Sequence, residues 1–352
     1  MMLPLPDKID RASSWTGEQL ALAAARWRRA LTPAECDEIE AAARAFLATG
    51  RPMTTLRRED FPLPALTAGL RDLRRELIDG LGFRVLTGLP VARLEPAVAA
   101  AAFCGIGAHL GTARPQNADG HVLGHVRDLG RDPEDPTTRI YQTTARQTFH
   151  TDSADAVGLL CLQPARSGGE SLLVSAETIF NRLRDEAPEL AAALFDVVAT
   201  DRRGEVPAGA APWFEIPVLS WHADRLTVQY QRQYIESAQR FDGAPRLSAT
   251  QHAALDAFDR IANDPNVHLA MTLAPGDMQF VYNHALLHDR AAFIDHDDTR
   301  RKRHLLRLWL ALPGDRALPA CYASRYGGLA PGNRGGVQTG TPIQAPVAVA
   351  SR

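Results

Sequence analysis

Apolar positions recur at helical spacing through the first third of the chain, then give way to short apolar runs separated by polar turns. Residues 17–30 and 33–48, rich in Ala, Arg and Leu, are predicted as helices. Thr32-Pro33-Ala34-Glu35 marks the second start, with Thr as N-cap, Pro at the first helical position and Glu at the third. Further helices are predicted over 66–79 and 94–109, with a strand over 82–90 between them. Beyond residue 120 the runs HVLGHV, RIYQ, AVGLLCL, ESLLVS, EIPVLSW, RLTVQYQ, VHLAMTL, MQFVYN and HLLRLWL read as strands at fairly regular spacing. That is the mark of a sandwich or barrel. Two helices interrupt them, one over 176–196 with a break at Pro188, the other from Ser248 to about residue 263, with Gln251 completing a capping box. The last stretch is a Gly- and Pro-rich coil. A single domain is expected, with a mainly helical layer over 1–115, a β core with a helical insert over 116–315 and the coil over 316–352.

Composition narrows the function classes. Hydrophobic residues make up 45% of the 352, enough for a sizeable core. The formal net charge of −2 gives no reason to expect nucleic acid or an anionic membrane as partner. Lys8 and Lys302 are the only lysines, so the basic side is nearly all arginine, a skew that fits a GC-rich genome. Cys36, Cys104, Cys161 and Cys321 lie far apart and form no CxxC, which argues against a disulfide framework or a thiolate zinc site. Cys161, inside VGLLCL, is expected to be a buried apolar residue. The N-terminus lacks a basic segment followed by an apolar one, and no uncharged apolar stretch is long enough for a bilayer. A reducing cytoplasm is the expected setting. GxGxxG, GxxxxGK[ST], GxSxG and HExxH are absent, so nicotinamide, nucleotide and serine-hydrolase readings lack direct support.

The chemistry rests on histidine and aspartate. Two imidazoles and one carboxylate can hold one face of a ferrous ion and leave the other open. His-x-Asp, which can supply two such ligands, occurs three times. His222-Ala223-Asp224 sits between two strand-like runs and reads as a hairpin turn, and His296-Asp297-Asp298 lies in a charged loop. His150-Thr151-Asp152 leads directly into AVGLLCL. On these residues alone it is either a ligand pair or a capped turn with a surface histidine.

Further motifs follow: GGES (168–171), APGDMQFVYNHALLHDRAAF (274–293) and RKRHLLRLWL (301–310). The order HTD, GGES, PGDxxFxxN, LLHDRxAF and RHLLRLWL resembles the taurine dioxygenase and clavaminate synthase family of 2-oxoglutarate oxygenases, over about residues 120–312. The resemblance implies an α+β fold built on a double-stranded β-helix, the jelly roll of cupin-like proteins. It implies Fe(II) as metal, 2-oxoglutarate as co-substrate and O2 as oxidant, with a small molecule as primary substrate; nothing in the sequence sets the oligomeric state.

Carried over by position, the resemblance makes His150, Asp152 and His288 the iron ligands. Arg303 falls where the family's arginine binds the far carboxylate of 2-oxoglutarate, a task that suits a planar fork of donors. Ser171 falls where a hydroxyl helps hold the same group. Arg307 shares a face with Arg303 if the segment is a strand, and would then meet an anionic group on the substrate; a buried structural ion pair is the alternative. Asn283 is a candidate for orienting the site or touching substrate, or else a turn cap. His284, four residues before His288, is set aside because the family's ligand precedes (D/G)R. Asp277 reads as a turn residue, His304 as a packing residue, and the YQRQY run (230–234) as either pocket lining or an amphipathic strand.

The implied reaction hydroxylates an unactivated C–H bond of a small, carboxylate-bearing molecule, an amino acid or natural-product intermediate, with release of succinate and CO2. Asp152 argues against a halogenase, in which that carboxylate is missing. Desaturation, epoxidation or ring closure would use the same residues. A metal-dependent hydrolase would want a carboxylate base near the metal and would leave Arg303 without a task. A non-catalytic cupin-like binding module would need neither an intact triad nor the arginine.

Overall fold

Alternation along the strands decides how the molecule is layered. In chain order the strands of the two main sheets are β1 (Arg28–Ala30), β2 (Phe83–Thr87), β3 (Thr112–Arg114), β4 (Leu123–Val126), β5 (Gln147–His150), β6 (Ala156–Gln163), β7 (Ser171–Ser175), β8 (Leu269–Met271), β9 (Met278–Tyr282), β10 (Leu286–Arg290) and β11 (His304–Ala311). The larger sheet runs β1-β2-β9-β6-β11-β3, with β4 also paired to β11; the smaller runs β8-β7-β10-β5. Every pairing in them is antiparallel except β1 with β2. This computed structural model describes residues 5–132, 138–338 and 340–347. Parts of the predicted β core (133–137) and of both chain ends therefore lie outside the described residues.

Each sheet sends alternate residues to a helical layer outside and to the space between the sheets. On the smaller sheet, Phe149, Leu172, Val174 and Leu287 pack into a core with helices α4 (Ala176–Glu186) and α6 (Ala249–Ala262), while His150, Ser171 and His288 face inward. On the larger sheet, Leu306, Leu308 and Leu310 meet the N-terminal helices, whereas Leu305, Arg307 and Trp309 line interior cavities. Those helices are α1 (Pro33–Ala48), α2 (Thr67–Asp79) and α3 (Pro96–Leu110); α5 (Pro188–Ala193) continues α4 beyond the Pro188 break. The α1 start carries the expected capping box, with Glu35 N–H donating to Thr32 Oγ1 at 3.2 Å and Thr32 N–H to Glu35 Oε2 at 2.9 Å. Ser248 and Gln251 cap α6 in the same way.

Three expectations fail locally. The helix over 17–30 is only Gly17–Ala21 and a short turn, because Arg28–Ala30 joins β2 as a parallel edge strand and Trp27 buries against Phe83. RIYQ is a 3₁₀ turn, Ile140–Gln142, rather than a strand. YQRQY leaves its strand after Val228 and enters a helix at Arg232, so it is not an amphipathic strand. His222 ends a hairpin whose turn residues Ala223 and Asp224 have φ of 47° and 56°, the expected two-residue turn. The coil is not free of the body of the protein: Arg325, Tyr326 and Arg334 are buried.

His304, expected to pack, does so against His125. His125 Nε2 donates to the Pro346 carbonyl (2.9 Å), so its Nδ1 accepts from His304 Nε2 (2.8 Å). Adding a proton to His125 Nδ1 sets N–H against the N–H of His304 Nε2. Burial, together with His125, lowers His304 to about 4; burial lowers His125 as well. The folded protein thus binds fewer protons than the unfolded chain between pH 4 and about 6.5. Stability is full above that window and falls as pH drops through it. Melting temperature measured from pH 7.5 to 4.5 is expected to fall less steeply for His304→Gln than for the parent; equal slopes would remove this pair as the cause.

Candidate active site

His150 closes β5 and His288 is central in β10, directly opposite it in the ladder. Cross-strand neighbours lie close, and the two imidazole centroids are 4.2 Å apart. The chain turns after His150 and brings Asp152 back: its Oδ1 is 4.0 Å from His150 Nε2 and its Oδ2 is 3.5 Å from His288 Nε2. One donor atom from each residue lies within 4.8 Å of the other two, and all three residues are buried. His150 Nδ1 donates to the Thr148 carbonyl at 2.9 Å, which fixes the tautomer and leaves Nε2 as the basic nitrogen. In this structure that nitrogen accepts from the Gln147 amide (3.0 Å), which a metal would displace. Burial and the neighbouring His288 push His150 down to about 3, so it is a neutral ligand at any working pH. Burial would raise Asp152, but Arg307 and the His288 hydrogen bond outweigh it and hold the carboxyl well below the usual range. Two neutral imidazoles and one carboxylate suit a divalent iron.

A loop network sets this geometry. Asp152 Oδ2 accepts from Trp309 Nε1 at 2.7 Å. Asp152 N–H donates to Asn283 Oδ1 (3.2 Å), and Asn283 Nδ2 donates to the Ala154 carbonyl (3.0 Å). Asn283 is fully buried with both ends of its amide committed to this loop, and it lines neither cavity described below. It is therefore not placed to touch substrate. His284 lies apart from the donor set: it hydrogen-bonds Asp155 at 2.9 Å, and Arg334 bridges Asp155 and Asp315 at 2.7 and 2.8 Å. Asp277 accepts from Ala274 N–H in its turn and pairs with Arg28 at 3.6 Å.

Two cavities meet at the donor set and share Tyr141, Gln147, His150 and Arg307. One of them holds Arg303, Arg290, Ser171 and His288. Arg303 is 6% exposed, packs on Phe293 and has no hydrogen-bond partner for one terminal nitrogen; its backbone N–H is tied to Asp295 at 2.7 Å. Burial lowers its pKa to about 10. Gly169, at φ 76°, makes room for it: a Cβ there would stand 3.1 Å from Arg303 Nε. The Ser171 hydroxyl donates to Gln279 Oε1 (2.8 Å), so it must rotate to serve a ligand. Arg290, not foreseen, lies two residues beyond His288 on the same strand face and packs on the same Phe293 ring. Buried, unpartnered guanidinium donors of Arg303 and Arg290 beside the donor set fit a carboxylate-bearing co-substrate.

The other cavity is lined by Arg202, Arg325, Phe214 and Gln229. Arg307 stands at the junction, 7% exposed. Its Nε donates to Gln116 Oε1 at 2.7 Å, a terminal nitrogen lies 3.9 Å from Asp152, and it packs on Tyr141 and Trp309. Arg307 thus both faces Asp152, as a buried ion pair would, and lines the two cavities. Gln231 and Tyr234 of the YQRQY run line this cavity.

Comparison with known proteins gives the family of the chain. Residues 49–309 match the family model described as taurine catabolism dioxygenase TauD, TfdA family. The chain is 34% identical over 314 residues to FR-33289 synthase of Streptomyces rubellomurinus, covering 87% of this chain and 91% of that one. It is 31% identical over 318 residues to the taurine hydroxylase-like protein SAT17 of Stachybotrys chartarum, covering 86% and 80%. The fold matches that of an asparagine oxygenase solved with Fe(II), 3-hydroxyasparagine and succinate, with a TM-score of 0.63 at 17% identity over 81% of this chain and 93% of that one. The expected jelly-roll architecture is therefore observed, and the chain belongs to the TauD/TfdA family of Fe(II)- and 2-oxoglutarate-dependent dioxygenases.

Proposed function

We propose that this dioxygenase hydroxylates an unactivated C–H bond of a small anionic molecule, with His150, Asp152 and His288 holding Fe(II) and Arg303 anchoring 2-oxoglutarate. The observation that carries the reading is the junction itself: a buried His-Asp-His set where one cavity, holding an unpaired arginine donor, meets a second. With O2 and 2-oxoglutarate, ferrous iron supplies the oxidising power, and the co-substrate leaves as succinate and CO2.

The residues do the rest. Arg303, helped by Arg290 and a rotated Ser171 hydroxyl, receives the far carboxylate in a dry cavity where the charged hydrogen bond is strong. Gln147 yields His150 Nε2 to the metal and stays at the mouth of both cavities. Arg307 keeps Asp152 ionised and offers positive charge to the substrate side. Asn283 and Trp309 hold Asp152 in place. The C-terminal coil belongs to the same catalytic unit as the β core, since Arg325 lines a cavity together with Tyr234 and His150. Four free cysteines are compatible with a reducing cytoplasm, and no described helix is long and apolar enough to cross a membrane.

Anaerobic loading with Fe(II) and 2-oxoglutarate, then oxygen with a panel of small anions, should give succinate release that one compound class accelerates; no succinate with any of them would end the oxygenase reading. Arg303→Gln should weaken 2-oxoglutarate binding by ~10–100-fold, the worth of a charge-assisted hydrogen-bond pair. Because it removes a buried cation with no carboxylate partner, the same variant without co-substrate should melt no lower than the parent, and a given concentration of 2-oxoglutarate should stabilise the variant less than the parent. A lower melting point without co-substrate would assign Arg303 a structural role. Asn283→Ala loses two buried hydrogen bonds and should cost ~1–3 kcal/mol of stability. Iron affinity measured by dialysis should fall with it; unchanged iron affinity would separate Asn283 from the site.

A further inference from the structure

Six arginines are buried among the described residues: Arg202, Arg290, Arg303, Arg307, Arg325 and Arg334. Arg334 has two carboxylates and Arg307 has Asp152. The other four have no carboxylate within 4 Å among the described residues. They form two pairs, each built around one phenylalanine ring. Arg290 and Arg303 stand 4.7 and 5.2 Å from the Phe293 centroid, and Arg202 and Arg325 stand 5.3 and 5.5 Å from that of Phe214. The first pair lines the cavity given above to 2-oxoglutarate. The second lines the other cavity, and Arg325 Nε donates to Ser153 Oγ (2.7 Å), one residue from Asp152.

The acids near the second pair are already engaged. Glu205 pairs with Arg139, and Asp201 pairs with Arg240 and accepts from Ser237. Arg202 spends Nε and one terminal nitrogen on the carbonyls of Ala211, Trp213 and Ser324, which orients the fork and adds no negative charge. No described residue engages either terminal nitrogen of Arg325. The wall of one cavity therefore carries two desolvated positive charges around one ring, an arrangement whose cost falls when an anion arrives. One carboxylate or sulfonate would neutralise half of it. A phosphoryl group carries about −1.5 to −2 and three acceptor oxygens, enough for two guanidinium forks at one point.

We propose that Arg202 and Arg325 form a subsite for a phosphoryl dianion on the primary substrate, a phosphate monoester or a phosphonate. This rests on the oxygenase reading, because it takes the second cavity to be the substrate's.

Calorimetry on protein loaded anaerobically with Fe(II) and 2-oxoglutarate tests it, with n-propyl phosphate, n-butylphosphonate, n-butanesulfonate, pentanoate and adipate as probes. At least one phosphoryl probe should bind ~30-fold or more tightly than the sulfonate and monocarboxylate; which of the two does so tells ester from phosphonate. Affinity for n-propyl phosphate should fall as pH drops below about 6, where the phosphate gains a proton. Arg202→Gln and Arg325→Gln should each weaken phosphoryl binding ~10–100-fold and change 2-oxoglutarate affinity less than twofold, with Arg202→Lys in between. Should Arg325→Gln fail to fold, the probe series on the parent and the Arg202 variants decide. Equal binding of all probes, adipate matching the phosphoryl compounds, or full phosphoryl affinity in Arg202→Gln would each overturn the subsite. Failure of 2-oxoglutarate itself to bind would instead overturn the oxygenase reading.

Discussion

The pairing of His150 with His288 across two antiparallel strands is the constraint on which the site depends. Side chains on a strand alternate faces, so a slip of one residue in β10 would turn His288 into the outer helical core and bring Leu287 inward. That slip is prevented on both sides. β10 is locked to β7 from Leu286 to Arg290, and Leu287 is buried among the outer helices. Burial, and after it the second imidazole alongside, lowers the basicity of His150. The same crowding that disfavours a proton there leaves a lone pair for a cation.

The second His-Asp cluster shows that donor type alone does not make a metal site. Asp155, His284 and Asp315 offer ligand atoms as close together as the first set. Their charge is answered internally, because the Arg334 guanidinium lies between the two carboxylates with no solvent exposure. Burial would raise Asp155, but His284 and Arg334 outweigh it and keep it ionised. Asp155 also accepts from Leu312 N–H at 2.8 Å. The cluster is thus a clamp: it fixes the far end of the loop that carries Asp152 and draws the C-terminal coil onto the barrel. Removing one member would leave a buried charge uncompensated, a larger loss than the net worth of the pair.

Much of this was readable in the sequence, for identifiable reasons. Capping boxes at Thr32 and Ser248 are local chemistry, and the structure keeps them. His150, Asp152 and His288 stand in short motifs whose order carried the family resemblance. The failures lie where tertiary contact overrides local pattern. Arg28–Ala30 is helical by composition, yet an open edge of β2 recruits it. The arginines are the clearest loss. In a chain whose basic residues are nearly all Arg, one guanidinium in a cavity wall looks like any on the surface, and only the fold separates Arg202 and Arg325 from the rest. Arg290 was nearer to hand, since its even offset from His288 places it on the same face.

Buried arginines without counter-ions also say something about how stability and function are divided in this protein. An unfilled cavity lined by such groups holds the fold below the stability it would have with apolar or paired residues there. Ligands that bring negative charge recover that difference, so binding energy comes partly from relief of a strain already present in the free protein. Co-substrate and substrate would then each stabilise the fold through a different ring-centred arginine pair, Phe293 for one and Phe214 for the other. Because the two cavities meet only at Tyr141, Gln147, His150 and Arg307, the effects should be nearly additive except at those residues. Gln147 is where coupling concentrates: its amide occupies the histidine nitrogen the metal needs, and it borders both cavities. A side chain so placed can report the arrival of one ligand to the site of the other without any movement of the strands.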